Sequence, residues 1–379
     1  MLQNYLGVVE RLLLLQKKIV VKDMRNKKIA IIGTAGIPAR YGGFETLAEH
    51  LTRLLGEKFD FTVYCSRKNY EQKLSSHNNA QLVYLPFGSN GKQSVLYDAC
   101  AMFHALFYAE AMLVLGVSGG LFIPLVRLLF RGKIIVNIDG LEWKRDKWRW
   151  YAKWYLRLSE ALAVYFSNII IADHPIIQDY VKQIYNKESE YVAYGADHVV
   201  KRPLSEELLK QYPFLKQPYA LSVCRIEPEN NVHVIMDAMT RLGMMNFVVI
   251  GNWTASQYAR DLKDQCLRYK NVHMLDSIYD QTILDQFRSN CVAYIHGHSA
   301  GGTNPSLVEA IALSPPTLAY KVGYNQSVAQ NAAKYFLTAS ELYLIAQSMR
   351  SETSRELICQ PNNYQWGVVA EAYLRLIKN

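Results

Sequence analysis

Three segments of the chain combine glycine, hydroxyl, basic and acidic residues at spacings that suit a phosphate-bearing ligand. The first runs Gly33-Thr-Ala-Gly36-Ile-Pro-Ala-Arg40-Tyr41-Gly42-Gly43-Phe-Glu45-Thr46. Its glycines let a ligand approach the backbone, and the helix that follows would turn free N–H groups toward an anion. The second runs His296-Gly-His298-Ser-Ala-Gly301-Gly302-Thr303-Asn304-Pro305-Ser306-Leu307-Val308-Glu309-Ala310. Pro305 and Ser306 suit a helix start. Backbone N–H groups and the Thr303 and Ser306 hydroxyls would then face a diphosphate, and Glu309, one turn in, would accept hydrogen bonds from a ribose. The third, Ser222 to Asn231, offers Arg225, whose guanidinium can hold a phosphate bidentately. The bland alternatives are an ordinary strand–helix turn, a capped helix, and an arginine paired with Glu227 or Glu229.

Each segment follows a short apolar run that reads as a buried parallel strand. The first run lies within residues 24–36, after a basic lead-in and ending in glycine, and Phe61 to Tyr64, Gln81 to Leu85, Ala111 to Gly116, Lys133 to Ile138 and Asn168 to Ala172 continue the series. Helical stretches such as Thr46 to Leu55 and Leu156 to Val164 separate them. The pattern restarts with Tyr219 to Val223, Phe247 to Gly251, Val272 to Leu275, Val292 to His296 and Thr317 to Tyr320. Strands alternating with helices imply an α/β fold of two Rossmann-like domains with parallel sheets. Open α/β sheets bind ligands at the carboxyl ends of their strands. Two such sheets facing each other would make one cleft holding all three segments.

The length of 379 residues suits two domains, and half of the residues are hydrophobic. No apolar run reaches the roughly 18 residues of a membrane span. Glu10 and Arg11 argue against a secretory signal. The six cysteines include no C-x-x-C pair, which argues against a zinc site or a disulfide framework and favours a reducing cytoplasm. Residues 1–150 hold 21 Lys and Arg against 12 Asp and Glu, whereas residues 151–379 balance at 21 each. The whole excess of nine positive charges therefore lies in the first part, where it attracts anions. A dinucleotide site would want G-x-G-x-x-G and an acidic residue about 20 positions on. Neither is present, which disfavours a dehydrogenase.

The segments Pro38 to Thr46, Asp139 to Trp148, Arg225 to Asn231 and Gly301 to Glu309 together resemble the retaining glycosyltransferases of family 4, with the GT-B fold. The likeness spans residues 24–379 and is greatest to the bacterial rhamnosyltransferases of cell-surface polysaccharide synthesis. It implies an N-terminal extension (1–23), an acceptor-binding domain (24–197), a nucleotide-sugar-binding domain (198–361) and a C-terminal helix (362–379) packing back on the first domain. It also implies transfer of L-rhamnose from dTDP-rhamnose, with retention, onto a lipid-diphosphate-linked saccharide at the inner face of the cytoplasmic membrane. Gly42 and Gly43 would lie against the donor diphosphate, Arg225 would neutralise it, and backbone groups near Thr303 to Leu307 would cap it, with Asn230 and Gly302 among the donor contacts. Glu309 would hold the ribose and His298 would contact the sugar. Arg40, Tyr41, Glu142, Trp143, Lys144 and Arg145 are the expected acceptor contacts. Two positions depart from the wider family. Asn230 stands where that pattern has a lysine, and Gly301 where it has a glutamate.

Asp139 precedes Gly140 at a strand end, where the wider family often has a histidine, and a carboxylate there could take the acceptor's proton. Glu45 and Glu142 are further candidates for that base. No Asp-x-Asp occurs, so no metal and no cofactor is expected, and the leaving group would rest on Arg225 and helix N-termini. Trp143 to Arg157 sets four tryptophans among six basic residues. As one helix it would align Arg145, Arg149, Lys153 and Arg157 in a stripe suited to a lipid headgroup layer or a lipid diphosphate, the bland alternative being a solvated face with the aromatics packed inward. No nucleic-acid motif is present, so nucleic acid is not an expected partner. The alternatives are another UDP- or GDP-sugar donor, a nucleotide-sugar epimerase, and an inactive membrane-associated assembly subunit.

Overall fold

The computed structural model describes residues 26–348 and 364–379, apart from positions 41, 139, 146, 147, 244 and 314. The first unit comprises β1 (Lys27–Ile32), α1 (Gly43–Leu55), β2 (Phe59–Ser66), β3 (Ser76–His77), β4 (Ala80–Leu85), α2 (Ser94–Ala105), β5 (Ala111–Leu115), α3 (Ile123–Leu129), β6 (Lys133–Asn137), α4 (Trp150–Phe166), β7 (Ile169–Ala172), α5 (Pro175–Tyr185) and β8 (Glu190–Tyr191). Its strands form one sheet in the order β3-β4-β2-β1-β5-β6-β7-β8. All pairs are parallel except β3 with β4. The second unit comprises α6 (Glu206–Gln211), β9 (Tyr219–Val223), α7 (Val232–Leu242), β10 (Asn246–Ile250), α8 (Gln257–Cys266), β11 (Val272–Leu275), α9 (Gln281–Asn290), β12 (Ala293–His296), α10 (Pro305–Leu313), β13 (Thr317–Tyr320), α11 (Gly323–Ala329), β14 (Ala333–Phe336) and α12 (Ala339–Ser348). Its sheet runs β11-β10-β9-β12-β13-β14, parallel throughout.

Helices cover both faces of each sheet, so the central strands are apolar on both sides. Every residue of β5 is buried, as are the last four of β1, β6 and β10. On one face of the first sheet, Leu47, Leu51 and Leu55 of α1 meet Ile29, Ile31 and Phe61. The opposite face packs Tyr97, Met102 and Val126 against Ala30, Val114 and Ile134.

A last helix, α13 (Trp366–Lys378), returns to the first unit. Its Trp366, Val369, Tyr373 and Ile377 share the core of α1, and the Tyr373 hydroxyl accepts from Asn137 Nδ2 at 3.1 Å. The described residues include no helix long and apolar enough to cross a membrane.

The basic stripe does not form as expected. Glu142–Lys144 makes a single tight turn, Arg145 is extended, and α4 begins only at Trp150. Arg145 is drawn inward to Glu142, so only Lys153 and Arg157 of the expected stripe lie on the helix.

Candidate active site

The loops after β1, β5 and β6 meet those after β9, β10 and β12 across one cleft of about 1540 Å³. A pocket for one small molecule is typically roughly 300–1,000 Å³, so there is room for two substrates. Two glycines set how closely the halves approach. A Cβ on Gly43 would lie 3.2 Å from the Pro305 ring and 3.2 Å from that of Tyr194. Gly140 has φ +71°, and a Cβ there would lie 2.8 Å from Gly301 Cα and 2.9 Å from Gly302 N.

On the second half, Arg225, Asn230, His298, Gly302, Thr303, Asn304, Pro305, Ser306 and Glu309 all line the cleft. Asn304 caps α10, its Oδ1 accepting the Ser306 N–H at 3.0 Å, and Pro305 opens the helix. The two expected phosphate-facing hydroxyls are otherwise engaged. Thr303 Oγ1 donates to the Asp173 carbonyl at 2.5 Å, and Ser306 Oγ donates to the Val223 carbonyl at 3.0 Å. Buried hydroxyls require such partners. Leu307 is fully buried in the core and does not line the cleft. Glu309 pairs with Arg288 at 2.6 Å and with His198 Nε2 at 3.4 Å. Burial pushes this carboxyl up, but the Arg288 guanidinium and the His198 ring together outweigh it and hold the group below its ordinary value. Arg288 is 2% exposed, and its Nε and Nη1 have no hydrogen-bond partner among the described residues.

On the first half, Arg40, Gly42, Gly43, Glu45, Glu142 and Arg145 line the cleft. Glu45 is 5% exposed and accepts the Ala35 N–H at 2.5 Å, which ties α1 to the glycine loop. Burial raises its pKa, while this hydrogen bond works against the rise. Glu142 accepts from Arg145 Nε at 2.9 Å and from Trp148 Nε1 at 3.1 Å. Arg145 also faces Glu229 of the other half at 3.9 Å. Trp143 and Lys144 do not line the cleft. Trp143 packs on the core of the first sheet, with Arg157 5.3 Å and Lys144 Nζ 5.5 Å from its ring centroid. Asp139 and Tyr41 lie outside the described residues.

Residues that tie the site together escaped the sequence reading. Asp173 follows β7 and is fully buried, and its carboxylate accepts the Thr303 N–H of the other half at 3.0 Å. Its place at a strand end was the available signal. His198 receives Trp366 Nε1–H on Nδ1 at 3.0 Å, so its Nε2 carries the proton and donates to Glu309. The C-terminal helix thereby reaches Glu309 through His198.

Asp98 is buried beneath the cleft residue Ser118, whose hydroxyl donates to its carboxylate. Burial raises its pKa to about 7 against these hydrogen bonds. The folded state thus holds a proton that the unfolded chain releases near pH 4. Stability from this group is complete below about pH 4 and is lost as pH rises through about 7. Asp98→Asn should therefore raise the melting temperature at pH 8 by several degrees and leave it nearly unchanged at pH 4. An equal effect at both pH values would contradict this.

Residues 26–197 match a family described as a domain of unknown function, DUF1972. Residues 205–350 match the family described as glycosyl transferases group 1. No curated protein matches the chain. Among solved structures, the sucrose-phosphate synthase of Thermosynechococcus elongatus is similar over 93% of this chain and 98% of its own, with TM-score 0.77 and 14% identity. Anabaena HepE in complex with UDP and glucose is similar over 94% and 100%, with TM-score 0.73 and 14% identity. The trehalose 6-phosphate synthase of Burkholderia multivorans is similar over 93% and 96%, with TM-score 0.68 and 10% identity.

At these identities the structural likeness is one of fold, and that fold is GT-B. The family match adds that residues 205–350, the second half of this fold, are similar to group 1 glycosyl transferases.

Proposed function

We propose that the protein transfers L-rhamnose from dTDP-rhamnose, with retention, onto a lipid-diphosphate-linked saccharide at the inner face of the cytoplasmic membrane. The observation that carries a nucleotide-sugar donor is the strand-end cleft in which Arg225, the start of α10 and Glu309 converge. Arg225 and the α10 N-terminus supply positive charge for the departing diphosphate. Anabaena HepE, of the same fold, forms complexes with UDP and glucose and with UDP-glucose, which supports a nucleotide sugar here. Gly301 leaves no carboxylate at the sugar position, which suits a 6-deoxy sugar.

In this reading the donor C1–O bond to diphosphate breaks, and the acceptor oxygen bonds to C1 on the same face. The acceptor proton leaves to a carboxylate or to the departing phosphate. Glu45 and Glu142 are already engaged by Ala35, and by Arg145 and Trp148. Asp139, next to the contact glycine Gly140, is the carboxylate we assign to the acceptor. Incubation with dTDP-rhamnose and a lipid-diphosphate saccharide should release dTDP. Release from UDP-glucose or GDP-mannose alone would replace the sugar, and conversion of donor without acceptor would favour an epimerase.

Membrane attachment is supported by the exposed faces of α3 and α4, which pack side by side. Leu128 is 83%, Trp150 81% and Trp154 67% exposed, and Arg127, Arg131, Arg149 and Arg157 are exposed around them. Apolar anchors ringed by cations suit an anionic bilayer. The protein should sediment with vesicles containing anionic phospholipid and far less with neutral ones. Trp150→Ser with Trp154→Ser should weaken that binding at least about tenfold. Unchanged binding would overturn the assignment of this face.

A further inference from the structure

Asn230 and Gly301 stand where the wider family pattern has a lysine and a glutamate, and the structure connects them through His298. Asn230 is 3% exposed. Its Nδ2 donates to the Arg225 carbonyl at 2.9 Å, which leaves its Oδ1 turned to His298 Nδ1, also at 2.9 Å. An amide oxygen only accepts, so the His298 proton resides on Nδ1 and Nε2 keeps its lone pair. The backbone of His298 is held as well, since Asn325 Nδ2 donates to the His298 carbonyl at 2.8 Å.

The Nε2 atom looks toward position 301. A Cβ there would lie 3.3 Å from it, and glycine, at φ +111°, leaves that space open to the cleft. Burial, with His296, Arg145 and Arg225 nearby, holds the imidazole well below its ordinary pKa, so Nε2 stays bare at neutral pH.

We propose that Asn230 is a positioning residue that holds His298 in its Nδ1–H form, so that Nε2 accepts a hydroxyl of the donor sugar. The neutral imidazole then does the work of the carboxylate that Gly301 lacks. This inference rests on reading the cleft as a nucleotide-sugar site. Asn230 serves the sugar end of the donor through His298, and does not take the lysine's place on the diphosphate.

The test has one part independent of ligand. The protein labelled with ¹⁵N-histidine should show His298, assigned by its loss in His298→Gln, with the nitrogen shifts of the Nδ1–H form. The Nε2–H form would overturn the proposal whatever the activity. Next, dTDP-rhamnose and UDP-glucose are titrated beside bare dTDP and UDP. His298→Ala should weaken binding of the preferred nucleotide sugar at least about tenfold and leave its nucleoside diphosphate within about twofold. Asn230→Asp puts a carboxylate beside Nδ1, raises the imidazole pKa and should give sugar binding a new loss toward acid pH. The nucleoside diphosphate should show no such limb. Equal losses for sugar and bare diphosphate, or a flat pH profile for Asn230→Asp, would overturn the proposal. Wild-type protein that binds no nucleoside diphosphate would instead contradict the nucleotide-sugar reading of the cleft.

Discussion

Glu309→Ala will cost the protein about 3–5 kcal/mol of stability and remove donor binding, and a compensating variant will separate the two losses. Arg288 is almost fully buried and Glu309 is its ion-pair partner at 2.6 Å. Removing the carboxylate strands a guanidinium away from water, a larger loss than the pair's net worth. At about 2–4 °C per kcal/mol for a domain of this size, the melting temperature should fall by about 10 °C. Arg288→Met combined with Glu309→Leu exchanges the pair for apolar groups and should recover most of that fall. It should not recover donor affinity if, as we propose, Glu309 is the acceptor for the donor ribose. A double variant as unstable as Glu309→Ala would contradict the stranded-charge explanation. Glu309→Ala with undiminished donor affinity would contradict the ribose assignment.

Gly140→Ala will reduce transfer by about 10- to 100-fold while the protein stays folded. Its added methyl would meet the Gly301 and Gly302 backbone at 2.8–2.9 Å, so the halves must part by several tenths of an ångström. Alanine at φ +71° adds about 1–2 kcal/mol of local strain. Misplacing two reactants by about 1 Å can cost about 100-fold in rate. Nucleotide binding, which we assign mainly to Arg225, the start of α10 and Glu309 of the second half, should fall far less than transfer. Near-wild-type turnover in Gly140→Ala would show that this contact does not govern how the substrates meet.

The two sheets were legible because their central strands are buried on both faces, which leaves apolar runs such as Ile29–Ile32 and Phe247–Ile250. The edge strands β3, β8 and β14 were not, because their residues are mostly half-exposed and carry no run. The glycine loops and Arg225 announced the cleft through residue type and position at strand ends. Their partners did not announce themselves. Asp173, His198 and Arg288 reach Thr303 and Glu309 only after folding, across 130, 111 and 21 residues of chain, where no local spacing applies. The expected basic stripe failed for a related reason. Arg145 was read by helical periodicity, but ion pairs with Glu142 and with Glu229 of the other half hold it in a buried loop.

The central claim is that the cleft holds a nucleoside diphosphate against Arg225. It is tested most directly by melting the wild type and Arg225→Ala with dTDP, UDP, GDP, ADP and NAD. A ligand at about 100 times its dissociation constant should add about 2.7 kcal/mol, a shift on the order of 5–10 °C. We expect dTDP to raise the wild-type midpoint by that amount and to leave Arg225→Ala nearly unmoved. A wild type that responds to none of the nucleoside diphosphates, or an Arg225→Ala variant that responds as fully as the wild type, would contradict the claim.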